Sequence, residues 1–163
     1  MIYLWKYMSP LGQITMAGEG DALVGLWLEG QKLFASTLGT NATEGWLPVF
    51  EETCHWLDIF FSGAEPGFTP RLDLRGTTFR QAVWKELLTI PYGETISYGE
   101  LARRVGSSPR AIGGAVGHNP VSLIVPCHRV IGADNRLTGY SGGLDLKARL
   151  LQLENQLGQG MAK

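Results

Sequence analysis

Two cysteines in 163 residues, Cys54 and Cys127, are too few for a disulfide framework. At most one bridge could form, and the scarcity points to an intracellular protein with reduced thiols. Long hydrophobic runs are missing too. The apolar stretches are broken by Glu, Asp or His, which excludes a transmembrane helix. The amino terminus, Met-Ile-Tyr-Leu-Trp-Lys, has no basic region followed by an apolar run, so no secretory leader is expected and the chain reads as cytoplasmic. There is no low-complexity tract, and with 44% hydrophobic residues the chain is expected to fold as one globular domain or two small ones. Metal-type spacing is lacking as well. Cys54-His55 and Cys127-His128 are adjacent pairs, and neighbours on a helix diverge, so no metal is expected.

The net charge of −1 hides an asymmetry. Residues 1–75 carry four basic groups against nine acidic ones, whereas residues 76–163 carry ten against six. Arg103, Arg104, Arg110, Arg129 and Arg136 fall within one short stretch. Such a basic face suits nucleic-acid phosphates, and a solvated helix face has the same composition.

The chain is expected to divide near residue 75, into an amino-terminal α/β domain with its linker (1–75) and a carboxyl-terminal domain (76–163). Met1–Lys6, Gln13–Ala17 and Ala22–Leu28 read as three antiparallel strands separated by Ser-Pro-Leu-Gly and Gly-Glu-Gly-Asp turns. From Pro48 to Phe61 the apolar positions recur at helical spacing. Ser62–Gly76, with Pro66, Gly67 and Pro70, reads as a linker.

The second part is mostly helical. Thr77 or Thr78 caps a helix through Leu88 whose apolar face holds Phe79, Val83, Trp84, Leu87 and Leu88. Ser97-Tyr98-Gly99-Glu100 has the form of a capping box, with the serine accepting from the Glu100 amide and the carboxylate reaching back. That helix ends at Gly106, and Ser108 caps the next one with Pro109 in its first turn, giving a helix-turn-helix pattern. In the second helix, Arg110-Ala-Ile-Gly-Gly-Ala-Val-Gly holds three glycines, each costing about 1 kcal/mol relative to alanine. Two readings account for them. Either the helix packs tightly, or one face is kept flat so that a bulky partner approaches its backbone. A smooth helix led by one arginine suits the narrow minor groove, read by shape, better than base edges in the major groove.

Residues 119–130, Asn-Pro-Val-Ser-Leu-Ile-Val-Pro-Cys-His-Arg-Val, place a cysteine beside a histidine at the end of an apolar run. A thiolate is a strong nucleophile and an imidazole the usual means of forming one. The alternative is a buried cysteine acting as a small hydrophobe. Against it, His128 and Arg129 are expected to end the burial at the cysteine, and Pro126 to end a strand and leave the thiol at its mouth.

Phe-Arg-Gln-Ala-Val-Trp, Ile-Pro-Tyr-Gly-Glu-Thr-Ile-Ser-Tyr, Arg-Ala-Ile-Gly-Gly-Ala-Val, Asn-Pro, Ile-Val-Pro-Cys-His-Arg-Val and Gly-Tyr-Ser-Gly-Gly-Leu together resemble the O6-alkylguanine-DNA alkyltransferases. The likeness covers nearly the whole chain and is strongest from Phe79 to Glu154. It implies an α+β protein: a ribonuclease-H-like α/β domain, then a mostly helical, winged-helix-like DNA-binding domain with its helix-turn-helix on the minor groove. It implies irreversible, single-turnover transfer of an alkyl group from O6-alkylguanine, and from O4-alkylthymine, in double-stranded DNA to Cys127. It implies a monomer with little sequence preference, no cofactor and no membrane partner.

The roles that follow from the resemblance are specific. Cys127 is the acceptor, His128 the base acting through a bridging water, and Glu154 the group that orients the imidazole. Asn119 is a hinge residue, Arg110 the finger that replaces the flipped nucleotide, and Tyr98 the donor to guanine N3. Ala111, Gly113, Gly114 and Ala115 line the DNA-binding face. The substrate pocket falls to Val130, Tyr140, Ser141 and Gly142, with the Ser141 amide donating to O6 and the carbonyls of Cys127 and Val130 accepting from the exocyclic amine. Cys54 with His55 cannot supply the ligand set of zinc-binding relatives. Gly117, two residues before Asn119, lacks the bulkier side chain of some relatives, which would loosen the pocket. Two other classes stay open: a non-catalytic helix-turn-helix module that binds lesions or regulates, and a cysteine hydrolase using Cys127 and His128.

Overall fold

The computed structural model describes residues 1–29, 42–132 and 144–158, with side chains in the last segment from 146 to 154. The chain forms two compact units, residues 1–75 with 120–122, and residues 76–119 with 123–163.

In the first unit β1 (Ile2–Ser9), β2 (Gly12–Glu19) and β3 (Ala22–Leu28) form the expected antiparallel meander, each strand longer or equal to its expected span. A fourth strand, β4 (Ala42–Glu44), pairs parallel with β1, giving the order β3-β2-β1-β4. Every residue of β3 is buried. The Trp27 ring lies so close over Gly25 that a Cβ there would sit 2.1 Å from it, so only glycine fits. Helix α1 (Pro48–Phe61) buries Val49, Phe50, Thr53, Trp56, Leu57 and Phe60, and the Tyr7 hydroxyl of β1 donates to Asp58 of α1 at 2.6 Å.

The stretch read as a linker is partly pinned to the sheet. Leu23 N donates to the Arg71 carbonyl at 2.8 Å and Asp73 N to the Leu23 carbonyl at 2.9 Å. Further along the same strand, Leu26 N donates to Pro120 and Ser122 N donates back to Leu26, both at 2.9 Å. Two single-residue bridges, at Leu72 and Val121, therefore satisfy backbone groups of β3 that β2 does not use.

The second unit is built from α2 (Thr78–Leu87), α3 (Tyr98–Val105), α4 (Pro109–Gly117) and α5 (Leu144–Gly158), with a two-stranded parallel pair of β5 (Ile96–Ser97) and β6 (Val130–Ile131). The caps are local and follow the sequence: Thr77 accepts from Arg80 N, Ser97 from Glu100 N and Ser108 from Ala111 N. Gly106 closes α3 in the left-handed region at φ 73°. The capping box is half formed, because the Glu100 carboxylate is taken by Arg103 and Arg104 instead of reaching back to Ser97. On α2 only Val83, Trp84 and Leu87 are buried; Phe79 and Leu88, expected on the same face, are exposed. Helices α2, α3 and α4 pack on one another, and Trp84 Nε1 donates to the Ala115 carbonyl at 2.9 Å.

Candidate active site and nucleic-acid interface

The apolar run before Cys127 does not form the expected strand. Past the bridge at Val121 the backbone turns, with Leu123 at φ 72°, and the Asn119 side-chain amide donates to the Val125 carbonyl at 2.8 Å. A side-chain donor that closes residues 119–125 supplies what a strand partner would. Cys127–Arg129 then form a single 3-10 turn, with Cys127 N donating to Val125 and Arg129 N to Pro126. Burial does not end at the cysteine. Cys127, His128 and Arg129 are all buried, so the thiol sits in the interior of its unit and not at a strand mouth. The reason is on α5, which packs against this turn and presents an acceptor for both polar neighbours.

That acceptor is Glu154, itself fully buried. Its Oε2 lies 2.6 Å from His128 Nε2, and Arg129 donates from Nε at 2.9 Å and Nη2 at 2.9 Å. Gly93 N donates to Oε1 at 3.0 Å, tying in the turn after α2. Burial works to raise this carboxyl, but the hydrogen bonds and charges of His128 and Arg129 outweigh it and hold it at about 2. Glu154 is therefore an anion, Nε2 of His128 carries the proton it donates, and Nδ1 is the ring nitrogen able to accept one. Desolvation keeps the imidazole pKa below its ordinary value despite Glu154, so it is a neutral base at pH 7.

Arg129, read from the sequence as part of a basic face, is instead buried. It is 8% exposed, donates from Nη1 to the Ile90 carbonyl at 2.7 Å, and stacks 5.6 Å from the centroid of Tyr92. It neutralises Glu154 and fixes its orientation. The Cys127 thiol is pushed up to about 11 by burial, against the Asn119 hydrogen bond and the positive charge of Lys147. Tyr98, half-buried as the first residue of α3, has the Lys147 ammonium 5.8 Å from its ring centroid. Val130 is fully buried in β6, and its amide donates to the Cys127 carbonyl. Tyr140, Ser141 and Gly142 lie outside the described residues.

Helix α4 divides cleanly into two faces. Ile112, Ala115 and Val116 are buried, whereas Arg110, Ala111 and Gly114 are exposed. A Cβ added at Gly113, Gly114 or Gly117 would meet no atom within 4 Å, so packing among the described residues does not require these glycines. Ala115 must be removed from the expected DNA-binding set, because it faces the core and its carbonyl holds Trp84. No group of three or more potential ligands for a metal ion occurs among the described residues, and none of their helices is long and apolar enough to cross a membrane.

Comparison with known proteins places this geometry. Residues 2–74 match the family model of the 6-O-methylguanine DNA methyltransferase ribonuclease-like domain, and residues 78–156 that of its DNA binding domain. A methylated-DNA–protein-cysteine methyltransferase of Mycobacterium tuberculosis is 47% identical over 94% of this chain and 93% of its own. One from Haemophilus influenzae is 40% identical over 94% and 86%. The crystal structure of Mycobacterium tuberculosis OGT in complex with DNA superposes with a TM-score of 0.85 at 47% identity, covering 94% of this chain and 93% of that one. With both halves matched by its models and relatives this similar along almost the whole length, the chain belongs to the 6-O-methylguanine DNA methyltransferase family.

Proposed function

We propose that the protein repairs alkylated DNA by taking the alkyl group of O6-alkylguanine, and of O4-alkylthymine, irreversibly onto Cys127. The observation that carries this reading is the buried hydrogen bond between His128 Nε2 and Glu154 Oε2, one residue from a buried thiol in the unit that also holds the helix-turn-helix. A cysteine that served packing alone would not need a neutral imidazole beside it, with its tautomer fixed by a buried anion.

The chemistry follows from the groups. His128 Nδ1 accepts the thiol proton through a bridging water. The sulfur attacks the alkyl carbon, a C–S bond forms, and the bond from that carbon to O6 breaks with its electron pair going to the base. The Tyr98 hydroxyl donates a hydrogen bond to guanine N3 and so stabilises the departing anion. A thioether has no leaving group that water displaces readily, so each molecule acts once. Flipping the nucleotide costs a few kcal/mol and brings O6 to a thiol that a stacked base could not reach. The open face of α4 gives a duplex close approach to the helix backbone in the minor groove, where Arg110 at the first turn fills the gap left in the stack. Contacts of this kind carry little sequence information, and one copy of the chain supplies them all.

Incubation with duplex DNA carrying methyl-labelled O6-methylguanine tests the reading. About one methyl per chain, on Cys127 and abolished by Cys127→Ser, is the expected result. Tight binding with no adduct would instead identify a lesion-binding module, and repeated turnover on an ester would identify a hydrolase.

A further inference from the structure

Helix α5 presents more than Glu154 to the acceptor turn. Lys147, Leu150 and Glu154 are each fully buried, and their spacing of three and four residues puts them on one face. The two charged groups stand two turns apart, about 10 Å along the axis, too far to pair with each other. Glu154 meets His128 and Arg129 at one end. At the other, Lys147, on the same helix that packs against the acceptor turn, has its ammonium 5.8 Å from the centroid of the Tyr98 ring of α3, and its positive charge pulls the Cys127 thiol down. Lysine is almost never fully buried unless paired, and an aliphatic side chain would fill the same space on this face without the desolvation cost.

We propose that Lys147 is the charge-compensating residue of the acceptor site, its buried ammonium stabilising the Cys127 thiolate once His128 has taken the proton. Its relevance to alkyl transfer rests on the reading of Cys127 as the acceptor; its effect on the thiol does not. The charged groups facing this corner of the unit give the sign. Arg129 is neutralised by Glu154, and His128 is held neutral, so neither supplies net positive charge to the sulfur. Tyr98 turns the negative face of its ring toward the ammonium, which favours the charged amine. Burial pulls Lys147 down to about 8 while Cys127 pulls it back up, and Lys147 in turn pulls Cys127 down.

The test needs no DNA. The rate at which iodoacetamide alkylates Cys127 in the full chain is followed from pH 6 to 11, read on the Cys127 peptide by mass spectrometry so that Cys54 does not contribute. Lys147 carries its charge below about pH 8, so Lys147→Met should lower the rate about tenfold at pH 6 to 7 and change it little above pH 9. Lys147→Arg keeps the charge and should keep the wild-type rate within about twofold below pH 8. Near-UV circular dichroism checks that each variant is folded, and Lys147→Gln replaces the methionine variant if that one is not. A neutral variant that is folded and has the wild-type profile overturns the proposal, as does an arginine variant that behaves like the neutral one. Methyl transfer from duplex O6-methylguanine is measured in parallel. A charge-dependent thiolate profile in a wild-type protein that transfers no methyl would sink the alkyltransferase reading and leave this one standing.

Discussion

His128 Nε2 and Glu154 Oε2 lie 2.6 Å apart with neither side chain reaching solvent, and Arg129 closes the carboxylate from the other side. One anion, one cation and one neutral base form a group whose net charge is zero, which is how three titratable side chains remain buried together. The same arrangement commits Nε2 to Glu154 and makes Nδ1 the ring nitrogen that carries the lone pair.

Replacing Glu154 by glutamine should therefore damage both stability and chemistry. The buried guanidinium of Arg129 would lose its counter-charge, a change that costs about 3–5 kcal/mol. The imidazole would lose the acceptor that fixes its tautomer, and alkyl transfer should slow by on the order of a hundredfold or more. Urea unfolding and single-turnover methyl transfer measure the two effects separately. A fully active Glu154→Gln protein would remove the carboxylate from the mechanism.

Acid should unfold the protein in two stages. The Glu154 carboxyl is held at about 2 in the fold against an ordinary 4.5, so the stability it contributes is complete above 4.5 and is lost as pH falls toward 2. That difference corresponds to about 3 kcal/mol. His128 acts at higher pH. Its folded pKa is lowered, so the unfolded imidazole takes up a proton near pH 6.5 while the folded one stays neutral, and stability declines below that point. Urea midpoints from pH 8 to pH 2 should show both declines, with the lower stage absent from Glu154→Gln. No decline between pH 7 and 5 would contradict a neutral buried His128.

What could be read from the residues was mostly local. The caps at Thr77, Ser97 and Ser108 and the stop at Gly106 depend on side chains within three positions, and the structure forms each of them. Strand β4 has three residues and exists through parallel pairing with β1, which no local pattern announces. The run Val121–Val125 has strand composition, yet Asn119 and the backbone of Leu123 bend it into a turn. Cys127, His128 and Glu154 were recognisable by motif. Arg129 was read as part of an exposed basic face and Lys147 was not read at all, because a charged residue is normally taken as surface. The available signal was the spacing of Lys147, Leu150 and Glu154, which sets two charges on the same helix face as a buried leucine.

Trp84 links α2 to α4 through one hydrogen bond, from Nε1 to the Ala115 carbonyl. Trp84→Phe keeps an aromatic ring but leaves that buried carbonyl without its side-chain donor and opens a small cavity. The expected loss is about 1–3 kcal/mol, read as a lower urea midpoint with an unchanged slope. An unchanged midpoint would show that the bond contributes nothing net.

Arg110 occupies the first turn of α4 on its exposed face. If it stands in for the flipped nucleotide, Arg110→Ala should slow methyl transfer from duplex DNA at least tenfold and hardly change reaction with free O6-methylguanine base. The ratio of the two rates is the informative quantity. Equal slowing on both substrates would assign the arginine to the pocket or to the fold and take away the finger role.

The glycines of α4 give the sharpest separation between folding and binding. Because a Cβ at Gly113, Gly114 or Gly117 meets nothing within 4 Å, alanine at each site removes backbone freedom from the unfolded chain without a clash. Gly113→Ala and Gly114→Ala should each stabilise the protein by about 1 kcal/mol, the ordinary helix-interior difference. The same methyl groups hold a duplex away from the helix backbone, so affinity for DNA should fall as stability rises. Urea unfolding and a salt-matched binding titration on the same samples give the two signs. Stabilised variants that bind DNA as well as the wild type would mean that the duplex meets another face, whereas destabilised ones would return the glycines to a packing role.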